Sequence, residues 1–211
     1  MLRLGSERRW IMILFAVLTA VFVATVPAAG ATGGDPEPKA PTGTTGEAPT
    51  LSAAEREWLI GTTVEVASER ASRGRVRVIA GTGTNDTVAT IAATRRAAEL
   101  GADAALVVAP YYNRPNARML DAHFRAVADE GDLPIVVYNV PSRTGANVDA
   151  ATFLRLAEHP RVIAVKEASG NLEQIARICR DRPRDVAVLA GDDAWTLPML
   201  AMGGDLSLIH I

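Results

Sequence analysis

Cysteine is nearly missing from this chain. Cys179 is the only one in 211 residues, so no disulfide can form within it. The cysteine-stapled frameworks of small secreted domains are thereby excluded, and the usage fits an intracellular enzyme. Cys179 itself reads as a buried thiol on an apolar helix face. Histidine is scarce as well, with 3 in the chain. Asp192 and Asp193 have no His or Glu partner at metal-ligand spacing, so they read as a helix N-cap and no metal is expected. His123 falls in an amphipathic segment and reads as structural, while His159, just before Pro160, reads as exposed. There is no excess of basic charge: 22 Lys and Arg against 24 Asp and Glu leave a formal net charge of −2. That removes the electrostatic footprint of a nucleic-acid-binding protein. A phosphate-cradling loop is also lacking. Gly81-Thr82-Gly83 has neither the third glycine of a dinucleotide fingerprint nor the Gly-Lys-Ser/Thr of a P-loop, and reads as a tight strand-to-helix turn.

What the chain does have is apolar residues, 48% of the total, enough for one sizeable core. From residue 76 onward they recur in one pattern. Val76–Ala80, Ala104–Val108, Ile135–Val137, Val162–Val165 and Val186–Ala190 are short β-branched runs. Each ends in glycine, proline or polar residues: Gly81-Thr82-Gly83, Pro110-Tyr111-Tyr112-Asn113, Tyr138 through Gly145, Lys166-Glu167, and Gly191-Asp192-Asp193. Their starts lie about 24 to 31 residues apart, roughly the length of a strand plus its crossover helix. Runs that are apolar throughout, rather than alternating, belong to strands buried on both faces. Helix signals fill the gaps. Asn85 or Asp86 caps a helix that Gly101 ends, Asp149 caps another, and Asn171 precedes Leu172, Ile175, Ala176 and Cys179 on one helical face. Repeated β/α units close into a barrel or open into a doubly wound sheet. Reactive residue types stand at the C-terminal end of every strand here, which favours the barrel. The expected fold is α/β, a (β/α)8 TIM barrel, and an incomplete one.

Lys166 closes the run Val162-Ile163-Ala164-Val165. A lysine at a strand end either snorkels to solvent or, if buried, loses hydration. Desolvation disfavours the ammonium form and leaves a neutral amine able to attack a carbonyl and form a Schiff base. Alternatives stand beside the other candidates too. Tyr111 and Tyr112 suit an interface. Tyr138 suits strand-end packing, and Arg143 a solvated loop. Thr44 and Thr45, with Glu47, suit a capping box.

Five motifs occur in order: Gly43-Thr44-Thr45-Gly46-Glu47, Val78-Ile79-Ala80-Gly81-Thr82-Gly83, Pro110-Tyr111-Tyr112-Asn113-Arg114-Pro115, Tyr138 to Gly145, and Lys166-Glu167-Ala168-Ser169-Gly170. Together they resemble the dihydrodipicolinate synthase (4-hydroxy-tetrahydrodipicolinate synthase) family of class I aldolase-type barrels, over residues 43–204. The resemblance implies a lyase of lysine and diaminopimelate biosynthesis that condenses pyruvate with aspartate semialdehyde. On that basis Lys166 would form the pyruvate Schiff base, and no metal or organic cofactor would be needed, because the imine itself is the electron sink. Thr45 and its neighbouring amides would bind the pyruvate carboxylate. Tyr138 would pass protons beside the imine. Thr44 would link Tyr138 to Tyr112, with Tyr112 supplied by a neighbouring subunit of a homodimer or homotetramer. Arg143 would hold the carboxylate of aspartate semialdehyde, since a planar guanidinium suits bidentate binding of that group. Gly191 and Leu208 would line the substrate pocket. Relatives with the same lysine act on sialic acid or keto-deoxy sugar acids; the cation at Arg143 argues for the small anionic aldehyde.

The ends depart from that pattern. Arg3, Arg8 and Arg9, the apolar run Trp10 to Val26 and Ala29-Gly30-Ala31 have the anatomy of a signal peptide or a short membrane segment over residues 1–31. Residues 32–42, with Gly33, Gly34, Pro36, Pro38 and Pro41, have a linker composition. The barrel portion spans 43–204, and 205–211 is an atypical ending. The expectation is a truncated or chimeric barrel with open sheet edges, poorly soluble and inactive when expressed alone. The resemblance implies a cytoplasmic location; a genuine leader at 1–31 would instead imply export or a membrane anchor.

Overall fold

The structure is a computed structural model that describes residues 48–69 and 76–208. Strands β1 (Ile79–Gly81), β2 (Ala104–Val108), β3 (Ile135–Asn139), β4 (Val162–Glu167), β5 (Ala187–Ala190) and β6 (Leu206–Ser207) alternate with helices. The helices are α1 (Ala53–Glu69), α2 (Thr87–Glu99), α3 (Ala117–Glu130), the short α4 (Pro141–Thr144), α5 (Ala150–Leu156), α6 (Leu172–Asp181) and α7 (Asp193–Ala201). Local chemistry sets the helix starts. The side chains of Asp86, Asp149, Asn171 and Asp192 accept from the backbone N–H of Ala89, Thr152, Gln174 and Ala194. Each satisfies one donor that the first helical turn leaves unpaired. Gly101, at φ +90°, turns the chain out of α2.

All strand pairs are parallel, and the spatial order β1-β2-β3-β4-β5-β6 follows the sequence without reversal. A doubly wound sheet reverses its order at a switch point and carries helices on both faces. Here the helices among the described residues pack on one face of the sheet. Ile60 of α1, Ile91 of α2, Phe124 and Val127 of α3, Phe153 of α5, Ile175 and Ile178 of α6 and Met199 of α7 pack with Ala80, Ala105, Val107, Val137, Val165 and Val188 of the strands. The opposite face carries Leu106, Val108, Val136, Tyr138, Ala164, Leu189 and Leu208, and among the described residues no long helix packs against it. One helix-covered face and one helix-free face, wound in sequence order, are the geometry of a β/α barrel wall. The described residues supply six of its strands. Phe124 and Phe153 are fully buried in the helix layer, and truncating either to alanine costs about 3–5 kcal/mol.

Two aspartates pin strand registers. Asp103 accepts from Val78 N at 2.9 Å, ahead of β2. Asp205 accepts from Val188 N at 2.7 Å and pairs with Arg182, which also donates to the carbonyl of Val186, ahead of β6. The short β6 is thus tied to α6 and β5 by charge as well as by its ladder.

Several expectations need correcting. The first run forms a strand only from Ile79, although Val76 and Val78 are still buried. The fourth strand does not end at Lys166 but runs one residue further, through Glu167. Cys179 is half-buried rather than enclosed, because it lies at the flank of α6 near Gly203. His159 is largely covered, since its Nε2 meets Asp129 Oδ1 at 3.0 Å. The leader-like segment 1–31, the linker 32–42 and the Gly43–Glu47 loop lie outside the described residues. Among the described residues no helix is long and apolar enough to cross a membrane.

Candidate active site

Strand alternation places the candidate residues. Tyr138 and Lys166 are register partners on β3 and β4, and both face the helix-free side. The same rung continues to Val108 on β2, Leu189 on β5 and Leu206 on β6. An apolar row therefore flanks the amine on both sides. Lys166 is 8% exposed, and its Nζ lies 4.5 Å from the centroid of the Tyr138 ring. Burial pulls its pKa down to about 8 from 10.5. The ring face attracts an ammonium by about 0.5–2 kcal/mol, which opposes this, but desolvation is the larger effect for a lysine this enclosed.

Gly191 explains how the side chain reaches that position. A Cβ at Gly191 would lie 3.1 Å from Lys166 Cγ, 3.2 Å from its Cε and 2.9 Å from Ala168 Cβ. The lysine stem runs through space that only glycine leaves open. Gly83 has a similar steric role: its Cβ would sit 2.4 Å from Val108 N. The tight-turn reading of Gly81-Thr82-Gly83 thus has a physical cause in close backbone approach. Leu208 is 4% exposed and packs on the same face as Tyr138 and Leu189.

Other candidates are not gathered there. Tyr112 is 89% exposed and sits at φ +70°, a left-handed conformation that is strained for a tyrosine. It is not enclosed with this chain's own buried amine. Arg143 is exposed on α4 and makes no ion pair among the described residues. Thr44 and Thr45 lie outside the described residues. His123 is buried, with Nδ1 2.9 Å from Thr87 Oγ1 between α2 and α3, remote from the lysine face as expected of a structural residue. Among the described residues no group of His, Cys, Asp or Glu is placed to hold a metal ion.

One group escaped the sequence reading. Asn139 and Glu167, which directly follow Tyr138 and Lys166, point to the helix side and are 0% and 1% exposed. Asn139 Nδ2 donates to Glu167 Oε2 at 3.1 Å, Gln174 Nε2 of α6 donates to the same oxygen at 3.3 Å, and Ser169 N donates to Oε1 at 2.7 Å. Burial pushes the Glu167 carboxyl above its ordinary value; the bonds from Ser169, Asn139 and Gln174 oppose this without cancelling it. The one available signal was a carboxylate inside an apolar strand, next to the lysine and therefore on the other face.

A wall of parallel β/α units with a desolvated lysine on the helix-free face of a strand end defines a partial β/α barrel with a buried lysine. Comparison with known proteins narrows this. The chain belongs to the dihydrodipicolinate synthetase family, whose model matches residues 40–208. It is 52% identical over 164 residues to the 4-hydroxy-tetrahydrodipicolinate synthase of Listeria welshimeri, covering 77% of this chain and 54% of that protein. To the enzyme of the same name from Moorella thermoacetica it is 51% identical over 162 residues, with 77% and 54% covered. The chain spans about half the length of the curated relatives it matches. Among solved structures, dihydrodipicolinate synthase from Aquifex aeolicus superposes with a TM-score of 0.75 at 38% identity, over 98% of this chain and 64% of that one. The enzyme from Cyanidioschyzon merolae, with lysine bound, gives 0.77 at 40% identity, over 94% and 62%.

Proposed function

We propose that this chain carries the pyruvate-activating half of a 4-hydroxy-tetrahydrodipicolinate synthase reaction, joining pyruvate to aspartate semialdehyde. The observation that carries the reading is the Lys166 amine, buried at 8% exposure beside the Tyr138 ring, with its pKa brought down to about 8. At neutral pH about one such amine in ten is unprotonated, some 300-fold more than for a lysine at its ordinary value. The free amine attacks the pyruvate ketone carbon. The carbinolamine loses water to give the imine, and loss of a methyl proton gives an enamine. The enamine carbon then bonds to the aldehyde carbon of the second substrate, whose oxygen takes up a proton, and the imine re-forms; the second substrate's own amine then adds to the imine carbon, closing the ring and expelling the Lys166 amine. Tyr138, whose ring lies against the amine, is assigned to move those protons.

Arg143, exposed and without an ion-pair partner among the described residues, is the candidate for the second substrate's carboxylate. Thr44 and Thr45 are assigned to the hydroxyl relay and the pyruvate carboxylate on the family resemblance. Tyr112 is assigned to a neighbouring copy's site in a homodimer or homotetramer, a role to which its outward position is suited. The chemistry calls for no metal and no organic cofactor, and the reading places the protein in the cytoplasm.

The test is reductive trapping. Pyruvate and borohydride should convert Lys166 to N-(1-carboxyethyl)lysine, located by peptide mass spectrometry, and Lys166→Arg should abolish the adduct. Absence of the adduct from folded wild-type protein would overturn the reading.

A further inference from the structure

The polar group behind the lysine has no part in the chemistry just described, yet its placement is specific. The last rungs of β3 and β4 pair Tyr138 with Lys166 and Asn139 with Glu167. The first pair faces the reactive side and the second faces the helices. Asn139 bonds both Glu167 oxygens, at 3.2 and 3.1 Å. It also donates to Asn147 Oδ1 at 2.9 Å and accepts from Val148 N at 2.9 Å. Gln174 of α6 joins Glu167 Oε2 at 3.3 Å to the Val148 carbonyl at 3.3 Å, and receives Asn147 Nδ2 at 2.9 Å. Ser169 N closes the loop after β4 onto Glu167 Oε1 at 2.7 Å. Two strand ends, two loops and one helix therefore converge on a single buried carboxyl.

The backbone ladder sets the register of β3 and β4, but it ends at this rung, where an apolar pair would add only non-directional dispersion contacts. Directional bonds in a dry site are costly to stretch. Any slip of β4 against β3 by a fraction of a residue would break them, and the same slip would carry the Lys166 amine away from the Tyr138 ring.

We infer that Glu167, held by Asn139 and Gln174, is a positioning residue that fixes the final rung of β3 and β4 and so keeps the Lys166 amine enclosed against Tyr138. Glu167 touches neither substrate nor amine; it acts through the backbone of its own strand. The inference deepens the proposed Schiff-base role, but its test does not depend on that role.

The probe is competitive acylation with trace acetic anhydride, read by peptide mass spectrometry across a pH series. Lys39 is the chain's one other lysine and serves as the internal reference. In wild-type protein the Lys166 labelling midpoint should lie near 8. In Glu167→Ala and in Gln174→Leu it should rise by about one pH unit or more, a tenfold change in free amine, as water reaches the loosened strand end. Glu167→Gln, which keeps the shape and one of the two acceptor oxygens, should shift the midpoint less than Glu167→Ala does. A Glu167→Ala protein that is less stable but labels with the wild-type midpoint would reduce the network to a purely structural role and overturn the inference. So would a Glu167→Gln protein as displaced as the alanine variant. If Glu167→Ala does not fold, Gln174→Leu decides: a wild-type midpoint there overturns the proposal. Pyruvate trapping is measured separately, so failure of the adduct in wild-type protein bears on the proposed function and leaves the labelling comparison intact.

Discussion

Replacing Lys166 by methionine removes the ammonium and keeps a side chain of similar length in the channel beside Gly191, so packing is largely preserved. What changes is the penalty for holding a charge in a dry place. The folded pKa of about 8 against 10.5 corresponds to about 3 kcal/mol, at about 1.4 kcal/mol per pH unit. A folded pKa of about 8 already includes the attraction of the Tyr138 ring face, so about 3 kcal/mol is the net cost at neutral pH. Lys166→Met should therefore be the more stable protein at neutral pH, by about 6–12 °C in Tm for a chain of this size. The pH dependence follows from proton linkage. Below about 8 both folded and unfolded chains carry the proton and the penalty is whole. Between about 8 and 10.5 the unfolded chain holds more protons than the folded one, so the wild type gains stability relative to the variant as pH rises. Above that window the penalty is gone. Denaturant unfolding of both proteins at matched pH values reads the difference directly, because every other titration is common to the two. A difference that stays flat across the window, or a wild type that is the more stable at neutral pH, would refute the desolvation argument.

Gly191→Ala should cut the rate of pyruvate trapping about 100-fold, because the new methyl group occupies the path of the lysine stem; trapping at an unchanged rate would show that the stem can move aside. Tyr138→Phe keeps the ring under the amine, so the Lys166 labelling midpoint should hold while turnover falls by about 100-fold or more, separating packing from proton transfer in one variant. Asp205→Ala strands Arg182 and the Val188 N–H together, and urea melts should register a loss of about 2–3 kcal/mol. His123 has its pKa lowered to about 4 from 6.5 by burial, so the wild type should lose stability relative to His123→Leu as pH falls through that interval, with no divergence above it; melts in acetate and phosphate buffers check this.

Features that depend on near neighbours in the chain were legible before any coordinates. The caps Asp86, Asp149, Asn171 and Asp192 answer to the first helical turn that follows each of them. The β/α alternation was legible because continuous apolar runs and capped amphipathic segments repeat at unit length. Its edges were less so. Val76 reads as strand by composition, but pairing begins at Ile79, where β2 lies alongside. His159 was misplaced because Asp129, its partner, is thirty positions away in the chain. Cys179 was judged by helical face alone, and exposure at the end of α6 is set by what packs beyond it.

The candidate site divides along the same line. Lys166 stood out from the sequence because lysine closing an apolar strand is a local anomaly. Gly191 and Leu208 came from resemblance, and the structure supplied a steric reason for the first and a packing position for the second. The Asn139–Glu167–Gln174 network was invisible because its members come from two strands and a helix, and only pleat parity sends them to the face away from the lysine. Sequence alone determined the order of the elements, the helix starts and the candidate for a reactive amine, since each depends on interactions a few residues long. Tertiary structure decided that the helices cover one face, that the amine is dry and set over a phenol ring, and that a buried carboxyl stands behind it, since burial is set by distant segments meeting in space.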